Sequence, residues 1–511
     1  MFLENAEYSV FDFSADDKIT VSVFSGRATG RILFGESPLE LIERFTDFAG
    51  RMPPLPDWVN SGAIVALARD LETSLDIVEK LQGRGAELAG VWNQTWSGTA
   101  DTFIGEQVLW NWTLNSEQHP GWKEYVSTLD KKGIRTLCYV NPMFRDVAEA
   151  WEGAPRNLFA EGMAAGHFVR DESGEPYLLP VTAFDVGLLD LSSEGARQWM
   201  KEVIADEMIA GAGCSGWMAD FAEALPFDAV LASGEPAAAF HNRYPVEWAR
   251  LNREVVEEND LLGQTLFFSR SGFTGSPSQS LLFWEGDQLT TWDHYDGLRS
   301  ALHGLLNGGF SGLSLNHSDT GGYTSVGKYG LGGNRDQELL QRWTEMNAFT
   351  AVLRTHEGNE PDLNVQVYSD DESMEHFARF TRVYAALAFY RKQLFAEASE
   401  KGYPVVRHLL LHYPNDPVAH TVDDQFLLGS EILVAPILEP CSEPDPCESK
   451  REVYFPAGTW VHLWSGEEYG KSGGGSWAIV AAPIGEPAVF YRKGSAVGVT
   501  LADNLAAAGL R

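Results

Sequence analysis

The feature that most constrains the fold of this chain is a repeated unit, a short apolar run that ends in a polar residue and is followed by an amphipathic segment. From MPPLPDWV at 52–59 onward, the runs GAIVAL, LAGVWNQ, IRTLCYVN, VGLLDLS, CSGWMADF and TLFFSRS appear in turn, with helical periodicity between them. One helix per strand implies a parallel sheet, and this many repeats favour a closed barrel over an open sheet. The expectation is an α/β fold, a (β/α)8 TIM barrel over residues 51–400, with HFARFTRVYAALAFYRKQL as its last long helix. The polar residues cluster at the C-terminal ends of the runs: Gln94, Asn141, Asp190, Asp220 and Arg270. In such a barrel that end carries the chemistry.

The flanks read differently. Residues 1–50 hold short alternating strands (YSVFDF, KITVSVFSG, GRILFG) and a helical stretch, SPLELIERFTDFAG, too little for a sandwich. Beyond the barrel, QFLLGSEILVAPIL, REVYFPAGTWVHLWSG and GGSWAIVAAPIGEPAVFYRKG predict paired strands with Gly-rich turns, a C-terminal all-β domain over 401–511.

Composition narrows the partners. With 72 acidic against 38 basic residues the net charge is −34, which argues against nucleic acid or an anionic membrane. One physical reading is a protein kept soluble in high salt, where screening removes self-repulsion. The 16 Trp and 50 Gly suit a site where sugar faces stack on indoles and loops turn sharply. Cys138, Cys214, Cys441 and Cys447 show neither CxxC nor paired Cys/His spacing, so no structural zinc site is expected. They read as buried or loop thiols, with Cys441 and Cys447 able to pair within a Pro-rich loop. No basic region precedes an apolar core at the N-terminus, and no run of about 18 apolar residues occurs, so a soluble cytoplasmic protein is expected.

Two strand-end acids can support glycoside cleavage with retention, which needs a nucleophilic carboxylate and a carboxylic acid about 5–5.5 Å apart. Asp220 ends the run in GWMADFAEALP, with Trp217 beside it and Glu223 one turn on. Asp287 follows the run in LLFWEGDQ, where Trp284 could desolvate it and raise its pKa. Singly, each could equally be a helix N-cap or turn residue.

These segments resemble glycoside hydrolase family 31, whose nucleophile motif is similar to GWMADF and whose acid/base motif is similar to WxGD. SRSGFTGS with Arg270, GFSGLSLNHSDTGGY with Asp319, and LRTHEGN with Arg354 and His356 follow in the family's order over roughly residues 50–495. The resemblance is strongest to sulfoquinovosidases, which cleave 6-deoxy-6-sulfo-glucosides, through QTWSG, VLWNW, GWMADF, SDTGGY and RTHEGN. It implies Asp220 as nucleophile, Asp287 as acid/base, and sugar contacts from Arg270, Asp319 and His356, with no metal or cofactor. In that subgroup two Gln, an Arg, a Trp and a Tyr read the sulfonate and its neighbouring hydroxyl. Gln94, Trp110 and Tyr323 match one Gln, the Trp and the Tyr. Gln107 stands where the Arg is expected, and Ala68 where the other Gln is expected.

A guanidinium fork binds a fixed anion better than a neutral amide does. Arg69, next to Ala68, could restore the cation from another strand, or could instead pair with Asp70 or Glu72. The remaining Trp residues, Trp217, Trp284 and Trp292, could line the pocket or belong to the core. Family members carry a sizeable β-sandwich ahead of the barrel, so residues 1–50 read as its remnant, and a homo-oligomer could cover the exposed barrel face. The rival readings are an α-glucosidase or α-xylosidase acting on a neutral sugar, a transglycosylase, and a non-catalytic carbohydrate-binding protein.

Overall fold

The computed structural model describes the chain except Met1, Ala6, Ile104, Thr182 and residues 328–332 and 442–448. Its centre is a ring of parallel strands: β1 (Ala63–Ala66), β2 (Leu88–Trp92), β3 (Arg135–Val140), β4 (Gly216–Ala219), β5 (Leu266–Ser269), β6 (Leu282–Trp284), β7 and β8 (Arg354–Thr355). Strand β7 comes in two pieces, Asn316–His317 pairing with β6 and Asp319–Thr320 pairing with β8, while β8 pairs with β1. The sheet thus runs round through β7, whose ladder breaks at Ser318. Every residue of β1, β2, β4, β5 and β6 is buried, as expected for strands with side chains inside the barrel and helices outside.

Between the strands lie the amphipathic helices that the periodicity implied, among them Leu71–Gly83, Trp122–Lys131, Glu194–Val203, Tyr244–Glu258, Leu298–Phe310 and Gln337–Asn347. Local chemistry sets their starts. Asp70 and Asp336 accept from the third backbone N–H beyond them, as N-caps do.

Three expectations need correction. VGLLDLS is not a barrel strand, because Phe184–Leu188 pairs antiparallel with Met143–Arg145 on one side and Leu178–Val181 on the other, forming a small sheet outside the ring. The final long helix is two, Asp371–Ala386 and Ala388–Lys401. The buried Arg391 side chain bonds Tyr384 O and Asn60 Oδ1 there, fixing the second helix against the first. Cys138 and Cys214 are not thiols: they form a disulfide, with 5.9 Å between their Cα atoms, joining β3 to the segment before β4. The Cys441–Cys447 pairing lies outside the described residues.

The C-terminal region has its own apolar core, built around Leu427, Leu433, Phe455, Trp460 and Phe490. Its main sheet is antiparallel, in the order Val406–Arg407, Phe426–Leu428, Ile432–Ala435, Ala488–Arg492, Gly458–His462, Glu468–Lys471. A further hairpin pairs Lys450–Phe455 with Ser476–Ala481. After these sheets Ser495 caps a closing helix, Ala496–Ala507, which packs on Asp371–Ala386. At the other end, Ser9–Asp12 pairs with Thr20–Val23, and this hairpin and its flanks leave Tyr8, Phe11, Phe13 and Phe24 exposed. The helix Pro38–Ala49, capped by Ser37, then leads into the barrel.

Candidate active site

The C-terminal ends of β3 to β8 supply the ionisable groups of the site. Asp220 extends β4 by one residue, its N–H donating to Val140 O at 2.9 Å. The next two residues, Phe221 and Ala222, hold φ of 57° and 82° without being glycine, a conformation that carries a steric cost and is found where function demands it. This turn swings the Phe221 N–H onto Asp220 Oδ1 at 2.7 Å. From β3, Tyr139 donates its hydroxyl to Asp220 Oδ2 at 2.6 Å, and Asn141 Nδ2 donates to the Tyr139 oxygen at 3.2 Å.

Arg270, just past β5, ties this carboxylate to two others. Its Nε lies 3.3 Å from Asp220 Oδ1, its Nη2 2.5 Å from Glu223 Oε1, and its Nη1 2.8 Å from Asp287 Oδ2, with the guanidinium 4.4 Å over the Phe221 ring. The two candidate catalytic acids differ in openness: the Asp220 side chain is 8% exposed and that of Asp287 41%. Burial pushes Asp220 up to about 6, with Arg270 opposing and the Asp287 charge adding. Asp287 is also raised, by burial first, again against Arg270, with Asp319 and Glu223 reinforcing the rise. Two residues before it, Glu285 is pushed up to about 8 by burial.

Deeper in the barrel, Asp319 and Arg354 form an ion pair with both side chains at 0% exposure. Arg354 Nε donates to His317 Nε2 at 2.9 Å, and His317 Nδ1 donates to Phe283 O at 2.8 Å. Burial and the Arg354 charge hold His317 well below its ordinary pKa, so the ring is neutral, as this bonding requires. Among the described residues, Asp319 Oδ2 and Arg354 Nη1 are buried without hydrogen-bond partners, one an acceptor and one a donor. His356 accepts the Gly358 N–H on Nδ1 at 2.9 Å. Burial, with Arg354 and Arg335 nearby, keeps it neutral, which places its proton on Nε2. The Tyr323 ring lies 4.6 Å from that of His356, and burial, then the charges of Asp287, Asp220 and Asp319, raise its phenol.

Asp220, Asp287, Arg270, Asp319, Tyr323 and His356, separate in the sequence, thus share one site. Trp110 stands in its wall, edge-on to Phe221 at 5.2 Å between centroids. Gln94, past the end of β2, is half-buried. Gln107 lies on the hairpin Thr99–Thr102/Gly105–Val108, opposite Ala100, and its Nε2 donates to Glu106 O at 2.9 Å.

Arg69 is not a spare cation. Its Nε pairs with Glu357 Oε1 at 3.0 Å and its Nη1 with Asp362 Oδ1 at 2.7 Å, so two carboxylates neutralise it. Neither Asp70 nor Glu72 is its partner; Asp70 caps the following helix. Trp217 and Trp284 are core: Trp217 donates to Asn252 across to the helix Tyr244–Glu258, and Trp284 packs edge-on to Phe268. Trp292 is partly buried and packs against the core.

Tyr139 lies in none of the motifs that carry the resemblance, and His317 sits inside GFSGLSLNHSDTGGY two residues before Asp319. Among the described residues no group of three or more His, Cys, Asp or Glu side chains could hold a metal ion, and no helix is long and apolar enough to cross a membrane.

Two family models cover most of the chain: the glycosyl hydrolases family 31 TIM-barrel domain over residues 53–390, and the glycosyl hydrolase family 31 C-terminal domain over 402–497. The chain belongs to glycoside hydrolase family 31. This family 31 member is 40% identical over 496 residues to a sulfoquinovosidase of Agrobacterium fabrum, covering 97% of the chain and 71% of the relative. It is 38% identical to a sulfoquinovosidase of Escherichia coli K12, covering 96% and 69%. A solved family 31 sulfoquinovosidase from E. rectale, in complex with an aza-sugar inhibitor, superposes with a TM-score of 0.91 at 37% identity, covering 98% of this chain and 72% of that one. The chain is therefore a glycoside hydrolase, sulfoquinovosidase-like in sequence and fold.

Proposed function

We propose that this enzyme is a retaining α-glycosidase that releases sulfoquinovose from α-sulfoquinovosides, with Asp220 as nucleophile and Asp287 as acid/base. The observation that carries the reading is the single guanidinium of Arg270 joining a buried, immobilised carboxylate to a half-open one. Tyr139, the Phe221 N–H and Arg270 all stabilise Asp220 as an anion and fix its direction, which suits attack on the anomeric carbon. Asp287 has a raised pKa and a side exposed to solvent, which suits an acid that must meet the leaving group and later a water.

In the first step an Asp220 oxygen bonds to the anomeric carbon while the bond to the aglycone oxygen breaks, and the Asp287 proton passes to that oxygen. In the second, Asp287 takes a proton from water as the water oxygen attacks the same carbon and frees Asp220. The buried Asp319 Oδ2 and Arg354 Nη1, with His356 Nε2–H, are placed to bond sugar hydroxyls.

Initial rates on para-nitrophenyl α-sulfoquinovoside, α-glucoside and α-xyloside, at low and high salt, test the sugar. Preference for the sulfonated substrate is expected; preference for a neutral one would transfer the assignment to an α-glucosidase or α-xylosidase, the reading that the neutral Gln107 favours. Proton NMR of the first-formed sugar tests the stereochemistry, and a β anomer would remove the covalent route. Cytoplasmic location belongs to the same reading, and the condition on it is that the Cys138–Cys214 bridge survives there. A homo-oligomer agrees with the exposed aromatics around Ser9–Val23, and light scattering reads it directly.

A further inference from the structure

The cations around the site are nearly all spoken for. Arg270 serves three carboxylates, Arg354 serves Asp319, and Arg69 serves Glu357 and Asp362. Arg335 donates to the carbonyls of Val365, Gly322 and His356 and to Gln366. Arg145 stands apart. Among the described residues no hydrogen-bond acceptor or carboxylate pairs with its guanidinium, and its Nη1 is fully buried with no hydrogen-bond partner. It lies 4.3 Å over the Phe184 ring, and burial alone, with no acidic neighbour to offset it, lowers its pKa.

Its position follows from the chain path. Two residues after β3 the backbone turns into Met143–Arg145, which pairs with Phe184–Leu188, and the Arg145 N–H donates to Trp110 O at 3.0 Å. Phe184 is edge-on to Trp110 at 5.4 Å, and Trp110 edge-on to Phe221 at 5.2 Å. Phe221 in turn binds Asp220 through its N–H. Arg145, Phe184, Trp110 and Phe221 thus form one continuous wall that ends at the nucleophile.

A half-buried guanidinium whose Nη1 is enclosed without an anion is costly, and more conspicuous in a chain of net charge −34 that has carboxylates to spare. We propose that Arg145 is the specificity-determining cation of the sugar pocket and binds a permanently anionic substituent on the substrate. It takes the place of the Arg that position 107 lacks. This rests on the α-glycosidase reading and deepens it: the ligand is an α-glycoside with a sulfonate, or a sulfate or phosphate ester of the same tetrahedral anionic chemistry, at the far end of the sugar from the anomeric carbon.

The experiment compares Arg145→Gln and Arg145→Lys with the unaltered enzyme. The readout is the ratio of kcat/KM on para-nitrophenyl α-sulfoquinovoside to that on the α-glucoside, with the α-glucoside 6-phosphate and 6-sulfate as further arms. Arg145→Gln should lower the anionic-to-neutral ratio roughly 10- to 100-fold, the range of a charged hydrogen bond. Arg145→Lys should lower it less, and Gln107→Arg in the Arg145→Gln background should restore part of it. If Arg145→Gln folds poorly, the Lys variant carries the test alone, because a structural role lowers both rates together and leaves the ratio fixed.

An unaltered ratio in a variant of an enzyme that does prefer the sulfonate would overturn the role of Arg145 and leave the sulfoquinovosidase reading standing. An enzyme that prefers the neutral glucoside over every anionic one overturns both. A preference for the phosphate or sulfate ester that Arg145→Gln removes overturns the sulfonate and keeps Arg145.

Discussion

The floor of the site and its outer wall are organised on opposite electrostatic plans. On the floor two cations hold their carboxylates, Arg354 with Asp319, and Arg270 with Asp220, Glu223 and Asp287, while Arg335 is bonded to backbone carbonyls and Gln366. Along the wall the groups are aromatic, Phe221, Trp110 and Phe184, and the cation at its far end, Arg145, lies over Phe184 and has no hydrogen-bonding or ionic partner among the described residues. A floor balanced within the protein prepares bond breaking whatever sugar is bound. An unbalanced wall is where the identity of the sugar can be read, because only the ligand supplies what is missing.

The contrast can be broken from the floor side first. Asp220→Asn keeps the shape of the nucleophile and removes its charge, and should lower kcat on an aryl α-glycoside by at least about 10^4-fold. Turnover within tenfold of the unaltered enzyme would remove Asp220 from the mechanism. Next in size, Arg354→Leu strands Asp319 in a fully buried position and should cost about 3–5 kcal/mol of stability, read as a lower urea midpoint. An unchanged midpoint would mean that the pair is not the buried balance described.

The smallest effect belongs to Tyr139→Phe. The Tyr139 hydroxyl lowers the Asp220 pKa, so its loss should raise that pKa above about 6. The acid limb of the kcat/KM profile should then move to higher pH by about one unit, with a loss of about tenfold in kcat. A shift to lower pH would reverse the assigned direction. The wall variants at Arg145 complete the comparison by changing the preference between sugars.

The barrel was legible because its strands end in polar residues after unbroken apolar runs, and because the carboxylates of GWMADF and WEGD sit at those ends. Position along the unit brings Asp220 and Arg270 to the rim, whereas the roles of Asp220 and Asp287 and the inclusion of Asp319, Tyr323 and His356 rest on the family resemblance of their motifs. Tyr139 was hidden for the opposite reason: it lies inside an apolar run, where an aromatic residue reads as core, and only the register of β3 against β4 turns its hydroxyl to Asp220. Arg145 depends on a strand pairing with Phe184–Leu188 some 40 residues on, and VGLLDLS was misread because its apolar pattern suits either sheet. The partners of Arg69 stand 288 and 293 residues away, whereas local reasoning could weigh only Asp70 and Glu72.

The Cys138–Cys214 bridge has a consequence for how the catalytic rim is assembled. Cys138 precedes Tyr139 directly and Cys214 precedes Asp220 by six residues, so the covalent link joins positions 76 residues apart, with the hydroxyl donor just inside the loop and the nucleophile just beyond it. By loop-closure statistics such a link removes about 4.5 kcal/mol of chain entropy from the unfolded ensemble. In the oxidised but unfolded chain the two side chains are separated by a tether of only a few residues, and the search that brings them together is local. Reduction would return that search to the full contour between them, so the bond acts on the path to the site rather than on the chemistry within it.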